Sequence, residues 1–193
     1  MTINQVRNKI LEEAVRLFSR NGYGSTSVRE LAEAAGITKP TLYYHFGSKE
    51  GLFEALVDHH LEGFEQLVDN TVNLPGTVVE RLRWFSETYL LGGAEKDDAL
   101  RFLMSCSLPE ASDSPNPNCH VFARVLQIVT PLQDVIRQGM TTGELREDLD
   151  PNAAVLALLG ALNLHLTTTL KGRKVDGGTV DSILNLWFHG VAA

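Results

Sequence analysis

The sequence is poor in the patterns that announce most chemistries. Its 193 residues include two cysteines, Cys106 and Cys119, which form no CxxC pair. A disulfide scaffold is therefore excluded, and the usage fits a reducing cytosol. Glycine and proline number 16 and 7, too few for collagen-like order, and there is no internal repeat or low-complexity tract. A phosphate-binding GxxxxGK[ST], an HExxH, a GxSxG and a Rossmann fingerprint are all missing, and the carboxylates form no spaced acid pair. No enzyme is expected. The longest apolar stretch, Ala153 to Leu162, is ten residues, too short to span a bilayer. The first residues carry charge and lack an apolar h-region, so no signal peptide is expected. These absences set the expectation of a cytoplasmic protein without a metal or cofactor.

What is present is core material. Hydrophobic residues make up 44% of the chain and charged residues 21%, enough for one large domain or two small ones. The net charge is −7, which argues against a uniformly basic nucleic-acid binder. The charge is not evenly spread. Residues 1–50 hold seven Lys/Arg against five Asp/Glu, a net of +2, and the remainder carries −9. One end can meet an anionic partner while the rest keeps the chain in solution.

Helical periodicity dominates. Val6, Ile10, Ala14, Leu17 and Phe18 recur at helical spacing. Ser27 and Glu30 form a capping box that opens a short helix, and Gly36 ends it. Thr38 caps the next, with Pro40 in its first turn, and Gly47 stops it near Phe46. Ser48 caps a longer helix running to about Thr71. Further helices are predicted near 77–92, 98–108, 119–139, 151–170 and 179–191, about nine in all. Asp150-Pro151 and Thr179 serve as starts, and Pro131 as a bend or break. The fold class is all-α.

Residues 27–46 read as a helix-turn-helix: Gly36 permits the reversal and Ile37 plugs the gap between the helices. In the second helix Leu42 and Phe46 share an inward face. Lys39, Pro40, Tyr43 and Tyr44 point outward, edged by Thr41 and His45. That face has a cation, hydroxyls and flat rings and no carboxylate, the equipment of a recognition helix. Helix starts at Ser27 and Ser48 offer backbone N–H groups to phosphates.

The run from Gly36 to Phe53, GITKPTLYYHFGSKEGLF, with ILEEAVRLFSRNGYGSTSVRELAEAAG before it, resembles the DNA-binding signature of the tetracycline-repressor (TetR) family of transcriptional regulators. The likeness covers roughly residues 6–56. It implies a three-helix DNA-binding domain over 1–47 and a helical effector-binding and dimerisation domain over 48–193. Thr38, Lys39, Thr41, Tyr43, Tyr44 and His45 would contact operator DNA, and Thr26, Ser27 and Lys49 would hold phosphates. Pro40 departs from the small residue common there and turns a rigid ring to the groove. Gly51 replaces what is usually a longer polar residue.

The rest of the chain is less explicit. The resemblance implies a cavity for a small apolar or amphipathic effector, with Phe64, Trp84, Phe85, Phe102, Met104, Phe122 and His165 as candidate walls. The 151–170 helix is apolar on nearly every side and must be covered all round. Ala157, Gly160 and Ala161, with Ile183, Leu186, Trp187 and Phe188 on the last helix, are expected to form a two-fold dimer face. His59, His60 and Glu62 are badly placed to share a metal, since adjacent helical residues diverge by about 100°. Cys106, Cys119 and His120 are read as ordinary cysteines and a histidine. The functional expectation is a homodimeric repressor released from a palindromic operator by a small molecule. A ligand-independent DNA-binding regulator or activator is the alternative the sequence leaves open.

Overall fold

The computed structural model describes residues 3–94, 98, 102, 119–169 and 177–191. Within them the chain forms eight helices: α1 (Ile3–Ser25), α2 (Val28–Ala35), α3 (Lys39–Phe46), α4 (Lys49–Asn73), α5 (Val78–Ala94), α6 (Cys119–Thr142), α7 (Pro151–Thr169) and α8 (Gly177–Val191). No strand occurs among the described residues, so the all-α reading holds. The helix expected over 98–108 lies outside them, save for Asp98 and Phe102.

The chain divides into two compact units. The first comprises residues 1–62 and 98–124, the second residues 63–97 and 125–193. In the first, α1 packs on α2 and α2 on α3. Ile10, Leu11, Ala14 and Phe18 of α1 are buried, with Leu31, Ala32 and Ala35 of α2, Leu42 of α3, and Leu52, Phe53 and Leu56 of α4. The 3.6-residue period puts each set on one stripe. Each large side chain so buried contributes roughly 1.5–3 kcal/mol against its ordering entropy. Aromatic rings gather at one end of this core. Phe18 lies 5.7 Å from both Tyr23 and Phe53 and 6.3 Å from Phe102.

In the second unit α5 packs on α7 and α8, and α7 on α8. Thr77 and Glu80 make a second capping box: Thr77 N–H donates to Glu80 Oε2 at 2.9 Å and Glu80 N–H to Thr77 Oγ1 at 3.2 Å. The Glu144 carboxylate accepts from Val78 N–H at 2.8 Å, a negative charge at the positive end of α5. Asp150 caps α7, accepting from Asn152 N–H at 2.9 Å.

One boundary expectation changes. Helix α6 runs through Pro131, as the 119–139 reading has it, so the break is not there. Helix α8 begins at Gly177, so Thr179 sits inside the first turn rather than at the cap. No helix among the described residues is long and apolar enough to cross a membrane.

Candidate nucleic-acid interface

The residues that open α2 and α3 build the motif from local bonds. Ser27 Oγ accepts from Glu30 N–H at 3.2 Å, and Ser27 N–H donates to Glu30 Oε2 at 2.8 Å. Hydrogen bonding to Ser27, through its side chain first and its backbone second, holds the Glu30 carboxyl below its ordinary range. Gly36 ends α2 with φ 67° and ψ 37°, a left-handed conformation that costs glycine little. Its neighbour's N–H, on Ile37, donates to Ala32 O at 2.9 Å and closes the turn. Thr38 then caps α3: its Oγ1 accepts from Thr41 N–H at 3.4 Å and lies 2.8 Å from Thr41 Oγ1.

This geometry divides α3 as the sequence predicts. Leu42 is fully buried. Lys39, Pro40, Tyr43 and Tyr44 are exposed, Tyr44 at 76%. Thr41, His45 and Phe46 are half-buried at the edge. The His45 ring stands 5.3 Å from Tyr44, edge to face, and the Arg7 guanidinium lies 5.5 Å over the Phe46 ring. The Lys39 ammonium makes no ion pair or hydrogen bond among the described residues. Arg29, also on this side of the sequence, instead pairs with Glu33 at 2.7 Å.

The departure at Gly51 has a structural cause. A Cβ at that position would overlap the Phe46 carbonyl oxygen, because the end of α3 lies directly against the first turn of α4. Ser48 Oγ accepts from Gly51 N–H at 2.9 Å and completes the cap that the sequence predicts.

Two of the residues expected at phosphates have hydrogen-bond partners within the fold. Thr26 is 1% exposed, and its hydroxyl donates to Gly22 O at 2.8 Å. Its side chain is spent inside the fold. Lys49 Nζ donates to Tyr23 O at 2.7 Å and Thr26 O at 2.8 Å, and sits 4.1 Å over the Tyr23 ring. A cation at the first position of α4 looked free in sequence because its carbonyl partners lie more than twenty residues away. Ser27 alone of that set is exposed.

The expected effector walls fall in separate places. Phe64, Phe85 and Tyr89 form a ring cluster in the second unit, with centroids 5.5–6.5 Å apart. Trp84 and His165 of the same unit are half-buried, and His165 Nδ1 lies 2.9 Å from Ala161 O. Phe102 is a core residue of the first unit, packed on Phe18, Phe53 and His60. Phe122 is 57% exposed, which removes it as a wall within its own unit. Met104 lies outside the described residues. A cleft of about 160 Å³ between α1 and α4 is lined by Asn8, Leu11, Glu12, Val15, Leu56, His59 and His60. None of the expected effector residues lines it, and it is small beside the ~300–1,000 Å³ of typical ligand pockets. Sequence reasoning also missed Tyr89 as a polar group. Its place in an apolar stripe hid a hydroxyl that, once buried, needs a partner.

The dimer candidates separate as well. Ile183 and Trp187 are buried within the chain, and Trp187 Nε1 donates to Ala154 O at 3.2 Å. Trp187 thus belongs to the α7–α8 contact, and both side chains are covered by their own chain. Ala157 and Gly160 are exposed, Ala161 and Phe188 half-buried, and Leu186 is 80% exposed. Leu156 and Leu164 extend this outward apolar set.

Comparison with known proteins agrees with this geometry. The family described as "Bacterial regulatory proteins, tetR family" matches residues 10–56. The chain is 30% identical over 156 residues to the HTH-type transcriptional repressor KstR2 of Mycobacterium tuberculosis, covering 77% of this chain and 73% of that one. It is 24% identical over 191 residues to the fatty acid metabolism regulator protein of Bacillus subtilis, covering 95% and 94%. Among solved structures, AibR in complex with isovaleryl coenzyme A and operator DNA superposes with a TM-score of 0.73 at 26% identity, over 94% of this chain and 97% of that one. The helix-turn-helix, its outward face and these likenesses together place the chain in the TetR family of DNA-binding transcriptional regulators.

Proposed function

We propose that the chain is a homodimeric cytoplasmic repressor that grips a palindromic operator through residues 1–47 and is released by a small apolar or amphipathic effector. It is a regulator and not an enzyme. The observation that carries the reading is the outer face of α3. Lys39, Pro40, Tyr43 and Tyr44 stand outward without a carboxylate among them, over a buried Leu42. A stable core does not need that arrangement, and a major groove does. The first turn of α2 offers backbone donors for a phosphate, with Ser27 exposed beside it.

The outward apolar set on α7 and α8 supports a second copy of the chain as partner. Leu156, Ala157, Gly160, Leu164 and Leu186 lie on it, and a Cβ at Gly160 would meet nothing within 4 Å in its own chain. Two such helix pairs would form a four-helix bundle around a two-fold axis. A dimer sets its recognition helices about 34–36 Å apart, one turn of DNA. An effector that prefers a different separation must weaken operator binding by linkage.

The ring cluster of Phe64, Phe85 and Tyr89, with Trp84 and His165, supports the second unit as the effector's seat. The names of the relatives, a ketosteroid regulator, a fatty acid regulator and one bound to isovaleryl coenzyme A, favour acyl chains and their coenzyme A thioesters as the first compounds to try.

The test begins with selection of genomic fragments on the purified protein. The recovered site is then titrated by fluorescence anisotropy with wild type and Tyr44→Ala. The reading requires a palindromic site, tight wild-type binding and a weakened variant. It fails if no sequence is enriched. Acyl-CoA thioesters and fatty acids are added to the preformed complex. Release supports an effector, and no release by any of them, or by other apolar compounds, favours the ligand-independent alternative.

A further inference from the structure

We propose that the hydrogen-bonded pair of Tyr89 and Asn163 is the polar end of the effector's seat and receives the carbonyl oxygen of an uncharged ligand, an ester, thioester or ketone, in preference to a carboxylate. The proposal rests on the second unit being that seat and adds the chemistry it selects.

Aromatic walls recognise apolar bulk, so selectivity depends on the few polar groups set among them. The fully buried hydroxyls of the unit are already committed. Thr71 Oγ1 donates to Leu67 O and Ser86 Oγ to Leu82 O, each at 2.8 Å on its own helix. Asn163 differs. Its Oδ1 accepts the Tyr89 hydroxyl at 2.7 Å. An asparagine amide also carries two N–H donors, and those of Asn163 have no partner among the described residues. Tyr89 and Asn163 are both half-buried, and the amide nitrogen is not sealed from solvent-sized space. With Oδ1 held by the phenol, the NH2 group turns to that space. A ligand atom arriving there meets donors and must be an acceptor. The Phe64 and Phe85 rings, with centroids 5.5 and 5.9 Å from that of Tyr89, give its apolar body a surface.

Charge decides the class of acceptor. A carboxylate taken out of water needs a cation beside it. Every described arginine of the unit is committed. Arg81 donates to Thr71 O, Val72 O and Gln138 Oε1. Arg83 pairs with Asp181 and Glu87, Arg137 with Asp134, and Arg146 with Asp148. No described lysine lies in the unit. Burial pushes the Tyr89 phenol up to about 12, the mark of a place where negative charge is poorly solvated. A carbonyl oxygen needs donors alone and brings no charge to desolvate, so the pair suits it and not a carboxylate.

The experiment measures dissociation constants by calorimetry on the full chain at neutral pH. The probes are methyl decanoate, decanoyl-CoA, progesterone, decanoate and hexylbenzene, the last an apolar body without a carbonyl. Wild type is expected to bind methyl decanoate at least about tenfold more tightly than decanoate, the scale of one hydrogen bond gained without a desolvated charge. Asn163→Leu is expected to lose about that factor for the ester and to hold hexylbenzene as wild type does. Asn163→Asp, which sets acceptors where the wild type has donors, should lose the ester as well. The comparison of ester with carboxylate needs no variant, so it decides the matter even if neither variant folds. Decanoyl-CoA and progesterone separate a thioester source of the carbonyl from a ketone. Decanoate binding wild type as tightly as the ester would overturn the proposal. So would Asn163→Leu weakening ester and hexylbenzene alike, or neither, which would leave the pair a structural tie between α5 and α7. If no probe binds, hexylbenzene included, the second unit is not the effector's seat; the failure then lies with that reading and takes the proposal with it.

Discussion

The Tyr89 hydroxyl donates to Asn163 Oδ1 at 2.7 Å, joining α5 to α7 inside the second unit. Desolvation pushes the Tyr89 phenol up to about 12. In the unfolded chain it titrates near 10. Between these values the unfolded chain has lost its proton and the folded chain keeps it. Stability conferred by the neutral phenol is therefore complete below pH 10 and is lost as the pH rises toward 12, up to about 3 kcal/mol. Tyr89→Phe should be less stable than wild type at pH 8, by about 1 kcal/mol for the hydrogen bond. The gap should close or reverse by pH 11. Urea denaturation at the two pH values checks the sign. A gap independent of pH would show that the phenol is not desolvated.

Arg81 performs for α4 what Lys49 performs for α1. It is buried, with Nε donating to Thr71 O at 3.0 Å, Nη2 to Val72 O at 2.5 Å and Nη1 to Gln138 Oε1 at 2.7 Å. Arg81→Met keeps the apolar stem and removes the donors to Val72 O and Gln138 Oε1, leaving Thr71 O only the Leu74 N–H at 3.4 Å. The expected cost is about 3 kcal/mol, read as a fall in the urea midpoint with little change in slope. Arg81→Lys should recover only part, since an ammonium cannot span three acceptors set out for a planar fork.

Gly51→Ala inserts a methyl group where the Phe46 carbonyl already stands. Alanine is ordinarily the better helix former, by about 1 kcal/mol over glycine, so a local-propensity argument predicts stabilisation. The close approach predicts the reverse, a loss of roughly 1–3 kcal/mol from overpacking against backbone that cannot yield. Thermal denaturation decides between the two signs. Operator affinity should fall as well, because the strain is relieved by moving the end of α3.

The exposed apolar set on α7 and α8 yields a paired test of dimerisation. Leu186→Glu places a charge where the wild-type side chain is 80% exposed. It should leave the monomer folded. A two-fold interface repeats the charge, and the dimer dissociation constant should rise by at least about 100-fold. Ile183→Ala, inside the chain, should lower the melting temperature by the cost of a core cavity, about 2–5 kcal/mol, with the dimer constant less affected. Sedimentation velocity across micromolar concentrations reads both. Leu186→Glu sedimenting with wild type would put the dimer face elsewhere.

Much of the first fifty residues was legible without coordinates. Ser27 with Glu30, Gly36, Thr38 with Pro40, and Ser48 are short-range signals. Each is satisfied by a partner within four residues, so reading them requires no knowledge of the fold. The outward face of α3 was legible for the same reason, since helical angle alone separates Leu42 from Tyr44. The helix boundary went less well at Thr179, where a rule about one residue met a helix that begins earlier, at Gly177.

What the chain determined by itself is thus local: which segments are helical, how they are capped, and which face of α3 is polar. Tertiary structure decided the partners of side chains whose bonds run far along the chain. Lys49 and Thr26, expected at phosphates, also tie the corner of α1 and α2. Trp187 and Ile183 looked like interface residues and proved to be packed within their own chain. Phe102, expected at a cavity wall, packs with Phe18 and Phe53. In every case the residue type was read correctly as cationic, hydroxylic or apolar. The identity of what covered it depended on three-dimensional proximity, which one-dimensional spacing does not encode beyond about one turn of helix.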